Sequence, residues 1–367
     1  MDRIPLVDLR AQQRVIADEV NAGFAKVMER TAFILGAEVE AFENEFAEFS
    51  GAAHCVGVAN GTDAVELALR ALDIGPGDEV VIPANTFVAT AEAILRAGAT
   101  PVLVDVDPDY LLIDVEQAVA RAGAATRVVM PVHLFGQIAP VEQLRERVGG
   151  NVEIIEDAAQ CQGATRLGAG PASVGRAAAT SFYPGKNLGA FGDAGAVLTN
   201  DADVARRLRI LRNHGGETKY EHTMIGVNSR LDTLQAVVLS AKLARLADWN
   251  AQRREAARRY DELLANVNGV TLPQTMAGNV HVWHLYVVRV DNRDQVLKTL
   301  QEAGIEAGIH YPHPVHLHGA FRDLGYGPGD FPVAEQAADR ILSLPLFAEI
   351  TPAQQERVAS ELEQALR

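Results

Sequence analysis

The sequence predicts an α/β fold, with a large domain built on a mostly parallel sheet flanked by helices and a smaller C-terminal α+β domain. Three observations carry this. Between about residues 54 and 200, short β-branched runs alternate with helix-length amphipathic ones. The strand-like runs are apolar throughout, as in sheets covered on both faces. After Asn200 the texture changes, and one long polar-faced helical stretch leads into segments of a different order. A length of 367 residues suits two or three domains.

Taken in order, His54–Val58 reads as the first strand and Asp63–Leu72 as a helix with Val65, Leu67, Ala68, Leu69 and Leu72 apolar. The turn Ile74-Gly75-Pro76-Gly77-Asp78 stops that helix, and Glu79–Ile82 follows as a strand. The pattern continues with helix Thr86–Ala97, strand Pro101–Val106, helix Asp114–Ala122 and strand Arg127–Leu134. Helix Pro140–Val148 and strand Val152–Glu156 complete it. Beyond Asn200 come a helix over Ala202–Arg212, a loop rich in Gly and His, and a helical stretch from Leu231 to about Ala265. His281–Val290 and Ile305–Tyr311 read as strands, and Arg293–Ala303 and Pro352–Leu366 as helices. We expect residues 16–245 to form the large domain and 246–367 the small one, with residues 1–15 packing against the latter. Gly-Pro-Gly-Asp recurs at 327–330, which is shared turn chemistry and no repeat.

Hydrophobic residues make up 48% and charged residues 22%, the balance of a folded protein. A formal charge of −15 opposes broad binding of nucleic acid or an anionic membrane, both of which call for clustered Lys and Arg. The two cysteines, Cys55 and Cys161, are too few for a disulfide framework and read as buried thiols. The best candidate for a membrane span, Thr86–Ala97, is broken by Glu92 and Arg96. The first residues lack the basic-then-apolar order of a secretory signal, so a cytoplasmic protein is expected.

In a parallel sheet the binding crevice lies beyond the carboxyl ends of the strands. Asn60-Gly61-Thr62-Asp63 sits at such an end, where open N–H groups, a Gly and a Thr hydroxyl make an anion site; a plain helix cap is the alternative. Glu156-Asp157 ends a buried strand, and since neighbours point to opposite faces only one carboxylate can face the crevice. A salt bridge or cap is the rival there. Lys186 lies in Ser181-Phe182-Tyr183-Pro184-Gly185-Lys186-Asn187-Leu188-Gly189-Ala190, an apolar setting that lowers an amine's pKa and frees it to attack a carbonyl carbon. With the aromatic Phe87 at the next strand-to-helix turn, the set matches what pyridoxal 5'-phosphate requires. Those needs are an anchor for the phosphate, a face for the ring, a carboxylate for the pyridine nitrogen and a lysine for the Schiff base.

Asn60-Gly61-Thr62-Asp63-Ala64, Glu156-Asp157-Ala158-Ala159-Gln160, Ser181 through Gly195, and Asn228-Ser229-Arg230-Leu231-Asp232 are four ordered motifs at family spacing. Through them the sequence resembles, nearly end to end, the DegT/DnrJ/EryC1/StrS sugar aminotransferases of the type I aminotransferase fold. The resemblance implies that Lys186 holds the cofactor covalently, Asp157 pairs with its pyridine nitrogen, Gln160 bonds its ring hydroxyl and Phe87 stacks on its face. It further implies that Thr62, the amides of Gly61–Asp63 and the Ser181 hydroxyl hold the phosphate. Asn228 in such enzymes reaches that phosphate from the other subunit, which implies a homodimer with shared sites. A cap on the long helix is the alternative role for Asn228. Some relatives are dehydrases with His in place of the lysine; Lys186 favours transamination.

Phe191-Gly192-Asp193-Ala194-Gly195 and Ile309 through Leu317 resemble the subgroup that aminates C3 of nucleotide-linked 3-keto sugars, with a 4-keto sugar as the alternative substrate. L-glutamate as amino donor follows from the same similarity. Tyr183, Tyr311 and His313 are expected at the sugar, and Lys219 and Arg230 at a diphosphate or carboxylate. For Arg230 an ion pair with Asp232 is the rival, and for Lys219 a solvated loop charge. The histidines at 310, 313, 316 and 318 are not expected to bind metal, because Pro312 and Pro314 break any helical face. A cofactor-binding regulator without turnover is the reading from another class; no basic patch supports it.

Overall fold

A computed structural model describes residues 3–218 and 220–367. Two helices precede the alternating region, α1 (Leu9–Arg30) and α2 (Ala37–Ser50). The Asp8 carboxylate caps α1 by accepting the N–H groups of Arg10 and Ala11. On α2, Phe42 and Phe46 lie edge-on against Phe182 with centroids 5.4 and 5.2 Å away, so this helix packs behind the lysine segment.

The central sheet is made from β1 (His54–Val58), β2 (Glu79–Pro83), β3 (Thr100–Val104), β4 (Thr126–Val129) and β5 (Glu153–Asp157), with β7 (Ala177–Ser181) and β8 (Gly195–Thr199). Its order is β1-β8-β7-β5-β4-β2-β3. Every pairing from β7 to β3 is parallel, and β8 runs antiparallel to both its neighbours. The connecting helices are α3 (Gly61–Ala71), α4 (Val88–Arg96), α5 (Val115–Arg121), α6 (Val141–Arg147) and, after β8, α7 (Ala202–Leu211). Apolar side chains on both faces of the strands form the main core, as their uninterrupted hydrophobic runs require. The short β6 (Thr165–Arg166) pairs with β12 (Asn279–Val280), and β9 (Gly216–Thr218) with β10 (Glu221–His222).

Helix α8 (Thr233–Leu264) joins this body to a three-stranded antiparallel sheet of β11 (Val270–Thr271), β13 (Tyr286–Val290) and β14 (Ile341–Leu344). Around it lie α9 (Arg293–Glu302), α10 (Pro332–Arg340) and α11 (Pro352–Ala365). A second core gathers Tyr260, Leu264, Tyr286, Leu300, Leu342 and Leu362, and it includes Ile4. Ile4 exchanges backbone hydrogen bonds of 2.9 Å with Gly304 and Glu306. Both Gly-Pro-Gly-Asp turns close the same way: Asp78 accepts from the Gly75 N–H at 3.0 Å and Asp330 from that of Gly327 at 2.7 Å. Among the described residues no helix is long and apolar enough to cross a membrane.

Three expected strands are shorter in the structure. The run at 127–134 is continuous strand only to Val129, since Pro131 offers no N–H and Phe135 turns to φ 62°; beyond it a single bridge joins Val132 to Asp157. The run at 281–290 becomes a strand only at Tyr286. Trp283 sits at φ 49°, and the amides of Val282 and Leu285 reach across to Gly136 and Phe135 of the large body. The run at 305–311 makes single bridges at Ile305 and Gly308.

Glu43 and Arg212 form a buried ion pair beneath β1, and both also bond Gly57, whose N–H gives to Glu43 at 2.7 Å and whose carbonyl takes from Arg212 at 2.7 Å. Replacing Arg212 with Met would strand a buried carboxylate. We expect a loss of about 3–5 kcal/mol in urea unfolding of the apoprotein.

Candidate active site

Four segments meet at the carboxyl ends of β1, β2, β5 and β7. At the first, the chain turns straight from β1 into α3. Asn60 is the cap, and its Oδ1 accepts the Asp63 N–H at 2.8 Å. The Asp63 carboxylate pairs with Arg96 at 3.1 Å. The cap and the anion site therefore divide the turn between them: the Asp63 amide is taken, and the N–H groups of Gly61 and Thr62 stay open. Ser181 at the end of β7 closes the other side. A Cβ on Gly61 would lie 2.5 Å from the Ser181 Cβ, and one on Gly195 would lie 2.4 Å from the Asn60 carbonyl oxygen. Glycine is required at both positions for the walls to approach this closely.

At the end of β5 the two acids part. Glu156 turns away, bonding His133 Nε2 at 2.7 Å and the amides of Ala172 and Gly175. Asp157 is buried, its Oδ2 accepting from the Thr90 hydroxyl at 2.7 Å and its Oδ1 from the Ala159 N–H at 3.1 Å. Thr90 is in turn 2.7 Å from Thr86, so α4 fixes the carboxylate. No pattern in the sequence pointed to Thr90.

Lys186 follows β7 in a loop held by its own N–H to the Tyr183 carbonyl at 2.8 Å. Burial lowers its amine from 10.5 to about 8, and the Asp157 charge pulls in the opposite direction. Gln160 Oε1 accepts the Phe135 N–H at 2.7 Å, and its Nε2 donates to the Tyr311 hydroxyl at 3.1 Å. Phe87 caps α4 with its ring half exposed and 4.9 Å from that of Tyr311. Burial raises the Tyr311 phenol well above its ordinary value. Cys161 is buried and free, and burial followed by the charges of Glu156 and Asp157 raises its thiol, so it stays protonated.

The remaining sequence candidates sit further out. Tyr183 and His313 are exposed. Arg230 donates to Asn213 Oδ1 at 2.9 Å while its buried Nε has no partner; it makes no ion pair with Asp232 among the described residues. Asn228 is exposed and does not cap the long helix, whose N-cap is Asp232. Lys219 lies outside the described residues. The four clustered histidines turn to different places: His310 to Ser343, His316 to Glu335, and His318 to the His313 carbonyl. A second desolvated lysine, Lys242 on α8, went unnoticed in the sequence because its helix reads as polar-faced. Burial holds it down to about 8 beneath the Phe191 ring, 5.3 Å from the centroid.

Open amides beside a hydroxyl, a fixed carboxylate, a half-buried amine of lowered pKa and an aromatic face are the donor set that pyridoxal phosphate calls for, and the residues fit it. Fold and site define a pyridoxal-phosphate-dependent sugar aminotransferase of the type I fold. Residues 14–363 match the model of the DegT/DnrJ/EryC1/StrS aminotransferase family, and the chain belongs to that family. It is 46% identical over 349 residues to the erythromycin biosynthesis sensory transduction protein EryC1 of Saccharopolyspora erythraea, covering 94% of each chain. It is 44% identical to the UDP-N-acetyl-3-dehydro-alpha-D-glucosamine 3-aminotransferase of Acidithiobacillus ferrooxidans, over 99% of this chain and 98% of that one. The crystal structure of S. venezuelae DesV in complex with a ketimine intermediate superposes with a TM-score of 0.97, 42% identity and full coverage of both chains.

Proposed function

We propose that this enzyme moves an amino group from L-glutamate to C3 of a nucleotide-linked 3-keto-hexose, in a homodimer whose two active sites are shared. The observation that carries the reading is the half-buried Lys186 amine, its pKa lowered by burial, in the field of the fixed Asp157 carboxylate and beside the open amides of Gly61 and Thr62. C3 is favoured by the Phe191–Gly195 motif and by the activity named for the A. ferrooxidans relative.

When bound, pyridoxal phosphate supplies an electron sink for the carbon that exchanges its amino group. The Gly61 and Thr62 amides with the Thr62 and Ser181 hydroxyls would hold its phosphate, and Phe87 would cover its ring. Asp157, oriented by Thr90 and Ala159, would keep the pyridine nitrogen protonated. Gln160 has an N–H left to give to the ring hydroxyl. Lys186 Nζ would hold the cofactor at its aldehyde carbon, with loss of water. An amine near pH 8 is both a competent base and a competent acid, so Lys186 Nζ would take a proton from the donor carbon and return one to the sugar carbon. Tyr183, Tyr311 and His313 would line the sugar, with Arg230 toward the diphosphate. Holoenzyme given L-glutamate without sugar should release one 2-oxoglutarate per site. No release would defeat the reading.

Gly61→Ala tests the cradle. Overlap with Ser181 should cost the apoprotein about 1–3 kcal/mol. Displaced amides should raise the Kd for pyridoxal phosphate roughly tenfold or more, measured by fluorescence titration.

Support for the shared site comes from the exposed Asn228 side chain and from Ile225, 88% exposed nearby, as surfaces left for a partner. Neither Asn228→Ala nor Lys186→Ala should be fully active alone. In a mixed dimer one site takes Lys186 from the first variant and Asn228 from the second. Activity regained on mixing fits the shared site, and proven mixed dimers without recovery contradict it. The second reading, a regulator without turnover, rests on the name of the S. erythraea relative. Repeated turnover with any nucleotide keto-sugar eliminates it.

A further inference from the structure

Asn187, immediately after Lys186, is 1% exposed and makes all its side-chain hydrogen bonds inside the protein, with both amide hydrogens given to buried acceptors. Its Nδ2 donates to Asn250 Oδ1 and to the Val282 carbonyl, each at 2.9 Å, and its Oδ1 faces His284 Nδ1 at 3.3 Å. Asn250, in the middle of α8 and 2% exposed, then donates through Nδ2 to the Gln162 carbonyl at 2.9 Å. Gln162 Nε2 reaches the Ala159 and Ser181 carbonyls and the Thr180 hydroxyl at 2.9–3.1 Å. The segment after Asp157, the end of β7 with Ser181, and the lysine loop are thus one hydrogen-bonded body with Asn250 at its centre. Gly163, at φ +88°, makes room for it: a Cβ there would stand 2.7 Å from Asn250 Nδ2.

We infer that Asn250 and Asn187 form a clamp that aims Lys186 at the reacting carbon by tying the lysine loop to the segment carrying Asp157 and Gln160. Two buried amides are a costly way merely to fill space, since apolar side chains would do that without needing four hydrogen bonds. Their place is also specific, because the tethered residue is the one next to Lys186, whose own N–H is bonded on the other side to Tyr183. A misplacement of about 1 Å at a reacting group lowers rate by roughly 10²-fold, so a clamp here acts on catalysis more than on binding. Asn250 and Asn187 are therefore positioning residues, acting through Lys186.

The inference rests on Lys186 being the lysine that carries the cofactor. Borohydride reduction of wild-type holoenzyme and peptide mapping tests that separately, since a tag on Lys242 would defeat the reading before any variant is made. The clamp is tested with Asn187→Ala, Asn250→Ala and the double variant. The readouts are kcat and KM for each substrate, and the pH at which Lys186 of the apoprotein becomes reactive to acetic anhydride. The groups facing that amine are Asp157, Cys161, His284 and His310. Each single variant should lower kcat by roughly 10–100-fold with KM within about threefold. The Lys186 midpoint should rise by at least about half a unit as water reaches the amine. The double variant should be no worse than the poorer single one. A folded variant with kcat within about twofold of wild type and an unmoved midpoint overturns the clamp, as does a double variant whose loss is the product of the two. Should the alanine variants not fold, Asn250→Asp keeps the volume while removing the donor to Gln162, and the same two readouts decide.

Discussion

Lys186→Ala is expected to retain its fold and its cofactor site but to lose turnover by roughly 10³-fold or more, the range set by removing a positioned acid–base group. No neighbour can take over. His284 and His310 are the other basic groups near the amine, but burial, the larger cause for each and one that remains when Lys186 is gone, holds both below the ordinary imidazole value and makes them poor bases. His310 is also 2.8 Å from the Ser343 hydroxyl. Lys242 is equally desolvated but lies on α8 facing Phe191 and Glu349. Two controls separate loss of chemistry from loss of structure. The urea midpoint of the variant should stay near that of wild type, and a small amine such as methylamine should restore part of the rate by standing in for the missing Nζ. Turnover at the wild-type rate would remove Lys186 from the mechanism.

Asp157→Asn should be the next most damaging change, with kcat lowered by about 10²–10⁴-fold. Its shape is preserved, and the Thr90 and Ala159 contacts can persist in part. What disappears is the charge. An amide cannot hold a proton on a pyridine nitrogen in the way a carboxylate does, and a fixed charge in a dry site is among the larger contributors to catalysis. The same substitution carries a signature in the apoprotein. Asp157 raises the Lys186 amine against the effect of burial, so removing it should move the lysine's midpoint further below 8. Labelling of Lys186 across pH measures this directly. A midpoint that climbs toward the ordinary 10.5 would mean that Asp157 acts on the lysine in some other way.

Much of this was legible in the sequence because it depends on local rules. Uninterrupted apolar runs ending just before Asn60 and at Glu156 placed two strand ends, and those ends placed part of the site; β7, which ends at Ser181, was not read as a strand. Period-two geometry separated Glu156 from Asp157, which in the structure face His133 and Thr90. What escaped depends on contacts between distant segments. Thr90 orients Asp157 from 67 residues away, and Asn250 reaches Gln162 across 88. Neither carries a local signal, since Thr and Asn within a helix read as ordinary polar positions. The irregular stretch before Tyr286 was misread for the same reason. Its apolar and aromatic composition favours a strand, but the Gly136 and Phe135 carbonyls draw the amides of Val282 and Leu285 elsewhere. Asn228 looked able to cap a helix because α8 seemed to begin near Leu231; the N-cap position is Asp232, which makes no side-chain cap bond.

The most direct measurement is the fate of labelled nitrogen. Holoenzyme would be supplied with L-[15N]glutamate and a panel of dTDP- and UDP-linked 3-keto and 4-keto hexoses, and the sugar products read by NMR. The account predicts 15N bonded to C3 of a nucleotide-linked hexose, with matching 2-oxoglutarate. Nitrogen at C4, or no labelled sugar from any member of the panel, would contradict it.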